Sequence, residues 1–475
     1  MVTGRSGLDQ LEGQIRRDFR YLNYPPDNWV KPMSGPDGAS VADVVIIGGG
    51  MCGMAAAFGL RREGIQNFRI FDARDAGAEG PWVTTARMRT LRSPKRLAGP
   101  NLNLPNLTFR MWCVAKYGRE MWESFEYIPR EMWMEYLIWY RHILDIPTEN
   151  NHRLERIEPE GDLLRLHLQG PDGPVTLLAR HLVLATGRAA FGGCRIPAVF
   201  EDIPPSLIAH TEEAIDFSAM AGKRVLVIGG AASAVDSAAV ALEQGAGEVH
   251  LLMRATEIPR VNKFKNTAYP GFFRGTLALD DARRWRFLHY SLASRIAPPR
   301  LSMLRLKEYD NFHIHKGVSV RQAAVTDGAV QLDSGDRKFT GDFVILGTGY
   351  AIDMTRQPEL AAHAGDIRLW RDHFMPPAGL ESDELGRFPY LGPGFEFLEK
   401  EPGAAPHLAR IHLFNAASML SHSGISADIP GVNVGVERLV NALASAFFTE
   451  DADRHLADLY AYAEPELLGD EWRED

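Results

Sequence analysis

Apolar residues in this chain come in short dense runs, each cut off by glycine. "DVVIIGGG" (Asp43 to Gly50), "RHLVLATG" (Arg180 to Gly187), "RVLVIGGA" (Arg224 to Ala231) and "DFVILGTG" (Asp342 to Gly349) share this form. Runs of four or five apolar residues without alternation predict strands buried on both faces, as in a parallel sheet. Two of them lead through their glycines into alanine-rich stretches of helical character, "MCGMAAAFGLRREG" (Met51 to Gly64) and "ASAVDSAAVALEQG" (Ala232 to Gly245). Each stretch is followed by a further apolar run, "NFRIFDAR" (Asn67 to Arg74) and "GEVHLLMR" (Gly247 to Arg254). Strand, tight turn, helix and strand thus occur twice, and the fold class predicted is α/β with two nucleotide-binding units.

Other periodicities fill in the frame. In "ADIPGVNVGVERLVNALASAFF", Pro430 and Gly431 mark a helix start, and Val436, Leu439, Val440 and Leu443 follow at helical spacing. Between Leu107 and Leu144 an aromatic-rich helix begins at Pro129, and Trp133, Tyr136, Leu137 and Tyr140 share a face that reads as core. A second aromatic region, Ala268 to Leu306, carries Phe272, Phe273, Trp285, Phe287 and Tyr290. These either line a substrate cavity or fasten the segment down.

The runs ending in Thr186-Gly187 and Thr348-Gly349 bracket the second unit, as when one domain is inserted into another. The expected division is an irregular arm over 1–40, a discontinuous domain over 41–214 and 341–450, and an inserted domain over 215–340. Within the last, 264–313 forms an aromatic-rich helical insertion, and 451–475 is a tail.

Bulk properties narrow the function. A length of 475 residues suits two or three domains, and 45% hydrophobic with 24% charged residues is globular. The balance of 52 basic against 61 acidic residues gives −9 without a like-charge block, which argues against a nucleic-acid partner. Cys52, Cys113 and Cys194 are odd in number and widely spaced, which predicts no disulfide framework and no metal site. No secretory leader or membrane span is expected, so a cytoplasmic protein follows by elimination. No heptad pattern points to an oligomer.

Gly48, Gly50 and Gly53 stand in the spacing G-x-G-x-x-G. The first permits a tight turn, the second lets backbone approach a pyrophosphate, and the third lets the helix pack close to the strand. The helix N-terminus then favours phosphate, and Asp72, ending the next strand, is the expected acceptor for ribose hydroxyls. In the second unit the corresponding residues are Gly229, Ala231 and Ala234, with Ser233 between the alanines. The Ala231 methyl group is expected to shift phosphates outward. The strand that follows ends in Arg254 rather than an acid, which suits a 2′-phosphate and favours NADPH over NADH. Arg260 adds to the field, and Lys263 and Lys265 read as a solvated basic loop.

On these residues the chain resembles the class B flavoprotein monooxygenases, which include flavin-containing, N-hydroxylating and Baeyer–Villiger enzymes. The resemblance spans most of 41–450 and rests on the first glycine motif, "EGPW" (Glu79 to Trp82), "ATG" (Ala185 to Gly187), "GGAASA" (Gly229 to Ala234) and "GTGY" (Gly347 to Tyr350). It implies two Rossmann-like domains of glutathione-reductase type, the second inserted into the first, with helical insertions. It also implies FAD in the first and NADPH in the second. Trp82, Thr186, Gly187, Thr348 and Gly349 then join the cofactor-binding set, with Asp428 and Gly431 where the last helix approaches the flavin. The sequence departs from the family pattern in "PPSLIAHTEEAIDF", where Pro204 and Ser206 replace Phe and Gly ahead of His210. The stretch "ARMRTLRSPK" (Ala86 to Lys95) also differs from the Baeyer–Villiger group.

Electrons passed from NADPH to FAD need an acceptor, and no CxxC pair is present. Dioxygen needs no motif of its own, because the reduced flavin reacts with it. The implied activity is an NADPH-dependent FAD monooxygenase working through a flavin hydroperoxide. N-, S- or ring hydroxylation of a small organic molecule is favoured over Baeyer–Villiger chemistry. Arg89, Arg92 and Ser93 are candidates for facing the flavin ring, with neutralisation of the FAD pyrophosphate the stronger reading for the arginines. His210 reads equally as a nicotinamide contact or a structural histidine, and His422 either as a neighbour of the flavin or, the stronger reading, as core. The rival readings are a reductase serving a quinone or protein acceptor, and a non-catalytic flavin redox sensor.

Overall fold

The structure is a computed structural model and describes residues 4–97, 99–188, 192–426 and 428–472. Its first sheet is built of strands β1 (Val41–Ile47), β2 (Phe68–Phe71), β5 (Thr148–Glu149), β6 (Arg153–Glu160), β7 (Leu163–Gly170), β8 (Gly173–Leu184) and β17 (Ile411–His412). The order is β5-β2-β1-β8-β7-β6, with β17 paired to β8. The strands β5, β2, β1, β8 and β17 run parallel, and β6 and β7 return antiparallel. All of β1 is buried, as its unbroken apolar run demands. Val44 and Ile46 face one core, against the helices Met51–Arg62, Arg130–Ile143 and Val432–Glu450. Val45 and Ile47 face the other, with β6, β7 and residues after 350.

The second sheet is fully parallel, with β9 (Ile208–His210), β10 (Arg224–Ile228), β11 (Glu248–Met253), β12 (Phe312–Lys316) and β16 (Phe343–Leu346) in the order β12-β11-β10-β16-β9. Val225 and Val227 pack beneath the helix Ala232–Glu243, while Leu226 faces Val330 and Leu332 of a three-stranded antiparallel sheet. That small sheet joins β13 (Gln322–Thr326), β14 (Ala329–Asp333) and β15 (Lys338–Gly341). A two-stranded ladder of β3 (Thr90–Pro94) and β4 (Tyr127–Pro129) lies between the first turn and the aromatic helix in sequence.

Three expectations are corrected. The arm is not irregular: Gly4–Tyr21 is a helix whose Leu11 and Ile15 are buried in the first core. The chain leaves and rejoins the first sheet at different points from those expected. Strand β9, before residue 215, and β16, after residue 341, both belong to the second sheet, because each pairs in line with β10 or its neighbour. Part of the tail is also helical, over Ala452–Ala461. No described helix is long and apolar enough to cross a membrane.

Candidate functional site

The first glycine turn is shaped by backbone contacts that exclude side chains. Gly48 has φ +106°, and a Cβ there would lie 2.4 Å from the Ala185 carbonyl oxygen. A Cβ on Gly53 would lie 1.8 Å from the carbonyl oxygen of Gly48, so helix and turn are in direct contact. Gly50 differs: nothing comes closer to its Cβ position than the Gly80 nitrogen at 3.8 Å. It begins the Met51–Arg62 helix with no side chain capping the first turn. The open approach and uncapped N–H groups fit a pyrophosphate. Asp72 is buried and accepts from the Gly49 and Arg74 N–H groups at 2.7 and 2.8 Å. Burial raises its pKa, and the two N–H donors oppose that. The residues present therefore fit the diphosphate and ribose of FAD.

The walls beside this turn come from distant segments. Glu79 is buried, accepts from Arg141 at 2.6 Å and Asn150 at 2.8 Å, and so fixes the loop carrying Gly80 and Trp82. The Trp82 indole meets Trp133 edge to face at 6.2 Å. A cavity of about 620 Å³ opens here, lined by Met54, Gly77, Glu79, Ile138 and Arg141. On the other side Thr186 accepts from Asn415 at 3.0 Å, joining the ends of β8 and β17. Gly187 follows with positive φ. Arg188 reaches Asp428 at 3.1 Å, and Gly431 begins the last long helix. Burial, and then the Asp428 charge, push the Cys52 thiol up to about 12.

The second turn repeats the geometry. Gly229 has φ +134°, and its Cβ would lie 2.4 Å from the carbonyl oxygen of Gly347. Ala231 begins the Ala232–Glu243 helix at φ −93°, ψ −178°, close to the −72°, −170° of Gly50, again without a side-chain cap. Ala231 and Ser233 are exposed and Ala234 is buried. Thr348 hydroxyl donates to the Arg195 carbonyl, and Gly349 has positive φ. Arg254 directly follows β11, is exposed, and has neither ion pair nor hydrogen bond among the described residues. This cradle fits a second dinucleotide. Lys263 instead lies over the Tyr290 ring at 5.6 Å.

Arg89 and Arg92 are both paired to acids of the second-unit helix, Arg89 with Glu243 at 2.7 Å and Arg92 with Asp236 at 3.3 Å. Burial lowers the Arg92 pKa, with Asp236 opposing. Ser93 lies half-buried within β3. His210 is buried, and its Nδ1 accepts from the Glu212 N–H at 3.2 Å. Its Nε2 has no hydrogen-bond partner among the described residues, and burial lowers its pKa. Glu212 also bonds Tyr350, from the "GTGY" stretch.

The sequence reading missed the centre of this seam. Arg305 sets its fork on Glu243 at 2.8 and 2.9 Å and on Asp236 at 3.3 Å, and donates to the Arg87 carbonyl at 3.2 Å. Arg87 in turn donates to the carbonyls of Thr211 and Glu213. The available signals were Asp236 and Glu243, two acids inside an alanine-rich run. The aromatic insertion divides: Phe273 and Trp285 are buried in the cores of the first sheet, Phe272 is half-buried, and Phe287 and Tyr290 are exposed. His422 is buried, as expected of a core residue.

Comparison with known proteins follows the same lines. Residues 45–268 match the family described as pyridine nucleotide-disulphide oxidoreductase. The chain is 36% identical over 470 residues, 97% of its length and 98% of the relative's, to an FAD-dependent urate hydroxylase of Xanthomonas campestris. Among solved structures, an ornithine N-hydroxylase of Kutzneria sp. 744 with reduced FAD, NADP+ and L-ornithine superposes with TM-score 0.67 at 15% identity. That match covers 86% of this chain and 99% of the other. The ornithine hydroxylase of Pseudomonas aeruginosa gives 0.65 at 19% identity, covering 85% and 98%. At those identities the two structures speak for the fold.

Proposed function

Because this chain belongs to the class B flavoprotein monooxygenases, and is an FAD- and NADPH-dependent monooxygenase using dioxygen on a small organic substrate, we propose that it hydroxylates urate or a closely related planar purine at a ring carbon. The observation that carries this reading is the end-to-end 36% identity to a urate hydroxylase. NADPH supplies the hydride, one oxygen atom enters the purine, and the other leaves as water with two protons.

Bound FAD would supply oxygen activation, the step amino-acid side chains do not provide. The chain's own task is to bind, orient and exclude water. Gly50 and the N–H groups of the helix behind it would hold the FAD diphosphate, with Asp72 keeping the turn in register and offering itself to the ribose. Ala231, Ser233 and Arg254 would hold NADPH, the arginine at the 2′-phosphate. Arg89 and Arg92 would serve as positioning residues, tying β3 and the strand's approach to the second-unit helix. His210, buried and neutral, would keep the junction before the second unit in place. Thiol–disulfide chemistry finds no support: Cys52, Cys113 and Cys194 are free, and the Cys52 thiol stays protonated.

The test uses purified holoenzyme with urate, NADPH and air. Loss of urate absorbance matched by equimolar NADPH and O2 consumption is expected. NADPH oxidation indifferent to urate, with all urate recovered, would sink the proposal.

A further inference from the structure

Several of the more buried arginines in this protein meet carboxylates, while half-buried Arg87 is held by backbone carbonyls. Arg180 has Glu450 and Asp451, Arg284 has Asp281, and Arg305 has Asp236 and Glu243. Arg438, half-buried on the last long helix, meets none among the described residues. One Nη donates to His422 Nδ1 at 3.0 Å and the other to the Phe273 carbonyl at 3.2 Å. Because a guanidinium only donates, His422 Nδ1 must be the acceptor and Nε2 must carry the ring proton. The same tautomer is fixed from the other side, where Nε2–H donates to the Gly392 carbonyl at 2.9 Å. Phe395 stacks on the imidazole at 3.9 Å. His422 is thus a rigid, uncharged support for a cation. Burial, and then the Arg438 charge, hold its pKa down to about 3.

The charges around Arg438 are unfavourable on balance, since the nearby Arg274 weighs on it more than the neighbouring Glu437 relieves it. Arg274 stands near and is paired with exposed Glu437 at 3.0 Å. A half-buried guanidinium on neutral acceptors carries a desolvation cost that an anion would offset, and its remaining N–H groups are free to receive one. Aromatic surface is at hand in half-buried Phe272, next to the residue whose carbonyl Arg438 holds. Resting on the reading above, we propose that Arg438 is the anion anchor of the substrate site, with His422 as its positioning residue and Phe272 as the stacking face. The ligand class is a planar, negatively charged heterocycle such as the urate monoanion, rather than a neutral purine.

The experiment is equilibrium dialysis of oxidised holoenzyme against urate and against hypoxanthine, a neutral purine. R438M should weaken urate binding about 10- to 100-fold and leave hypoxanthine within about threefold. R438K should lose less than R438M. R274M, at the exposed rim, should stay near wild type. His422→Phe should raise KM for urate with kcat largely kept. In R274M the substrate-free rate of flavin reduction by NADPH should be unchanged. If R438M does not fold, R438Q, which keeps donors without charge, gives the same reading. Unaltered urate affinity in R438M, or equal loss of both purines, overturns the anchor. If wild type binds no purine, the urate reading falls by itself, and the anchor is then judged with benzoate, an aromatic anion. Benzoate binding that R438M abolishes sustains it, and benzoate binding that is absent or unaffected by R438M refutes it.

Discussion

The two glycine turns are the same object built with one methyl group in different places. In each, a glycine of positive φ lies so close to the residue just past the neighbouring strand that an added Cβ would sit 2.4 Å from its carbonyl oxygen. In the first unit that residue is Ala185, directly after β8, and the helix carries Gly53, which touches the turn's own carbonyl oxygen. In the second unit it is Gly347, directly after β16, and the helix carries Ala234; a Cβ on Gly347 would meet the Ala234 methyl at 2.5 Å. The fingerprint is therefore a volume constraint shared by two elements, and a helix alanine is compatible with it when the strand supplies the glycine. At the position facing the ligand, Gly50 and Ala231 have nearly equal backbone angles, so the alanine there costs the fold no strain.

The largest expected break in this symmetry is G53A. Its methyl would lie 1.8 Å from backbone, which cannot yield cheaply, and a loss of about 3 kcal/mol or more is expected. The protein should purify without flavin or fail to melt cooperatively, as read by absorbance and thermal denaturation. Its counterpart A234G should keep both cofactors and lose only about 1 kcal/mol.

Next comes acid. His412, on the first-sheet side, is buried and accepts or donates only to His181 and the Gly394 carbonyl. Burial, and then the charge of His181, hold its pKa down to about 3. The unfolded chain takes up this proton below about pH 6.5 while the folded one stays neutral to about 3, so stability falls as pH drops through that window. A loss on the order of a few kcal/mol is expected. Melting temperature against pH should show it, and H412Q should flatten the slope. The second sheet's His250 and His315 are less buried and should add little.

Smaller still, R254A should raise KM for NADPH about 10- to 100-fold and leave NADH unchanged. Equal losses with both nucleotides would refute the 2′-phosphate role. The smallest effect is A231G, expected to tighten NADPH by no more than about fivefold and to shift stability by less than about 1 kcal/mol.

Strands and turns were legible in the sequence because their signal is local: an apolar run such as Val44 to Ile47 followed by glycine leaves few alternatives. The helix Gly4–Tyr21 was not, since it buries Leu11 and Ile15 within a stretch otherwise rich in charge. The boundaries at β9 and β16 were misplaced because a buried strand looks alike in either sheet, and only pairing assigns it. The protein partners of the arginines in "ARMRTLRSPK" were not legible in the sequence. Their carboxylates, Asp236 and Glu243, lie about 150 residues away on an element read only for its alanines. Arg438 was quoted within a helix whose apolar positions absorbed the attention.

Trp285, carried on a segment that interrupts the second sheet, is 1% exposed among Trp370, Phe374 and other residues of the first. With Phe273 buried likewise and the Arg305 fork clamped across the seam, the hydride-donor half is bolted to the flavin half at separate points. Swinging one half as a rigid body would tear a tryptophan out of an apolar interior. Any movement of the second sheet against the first would have to leave this insertion behind, anchored by its tryptophan.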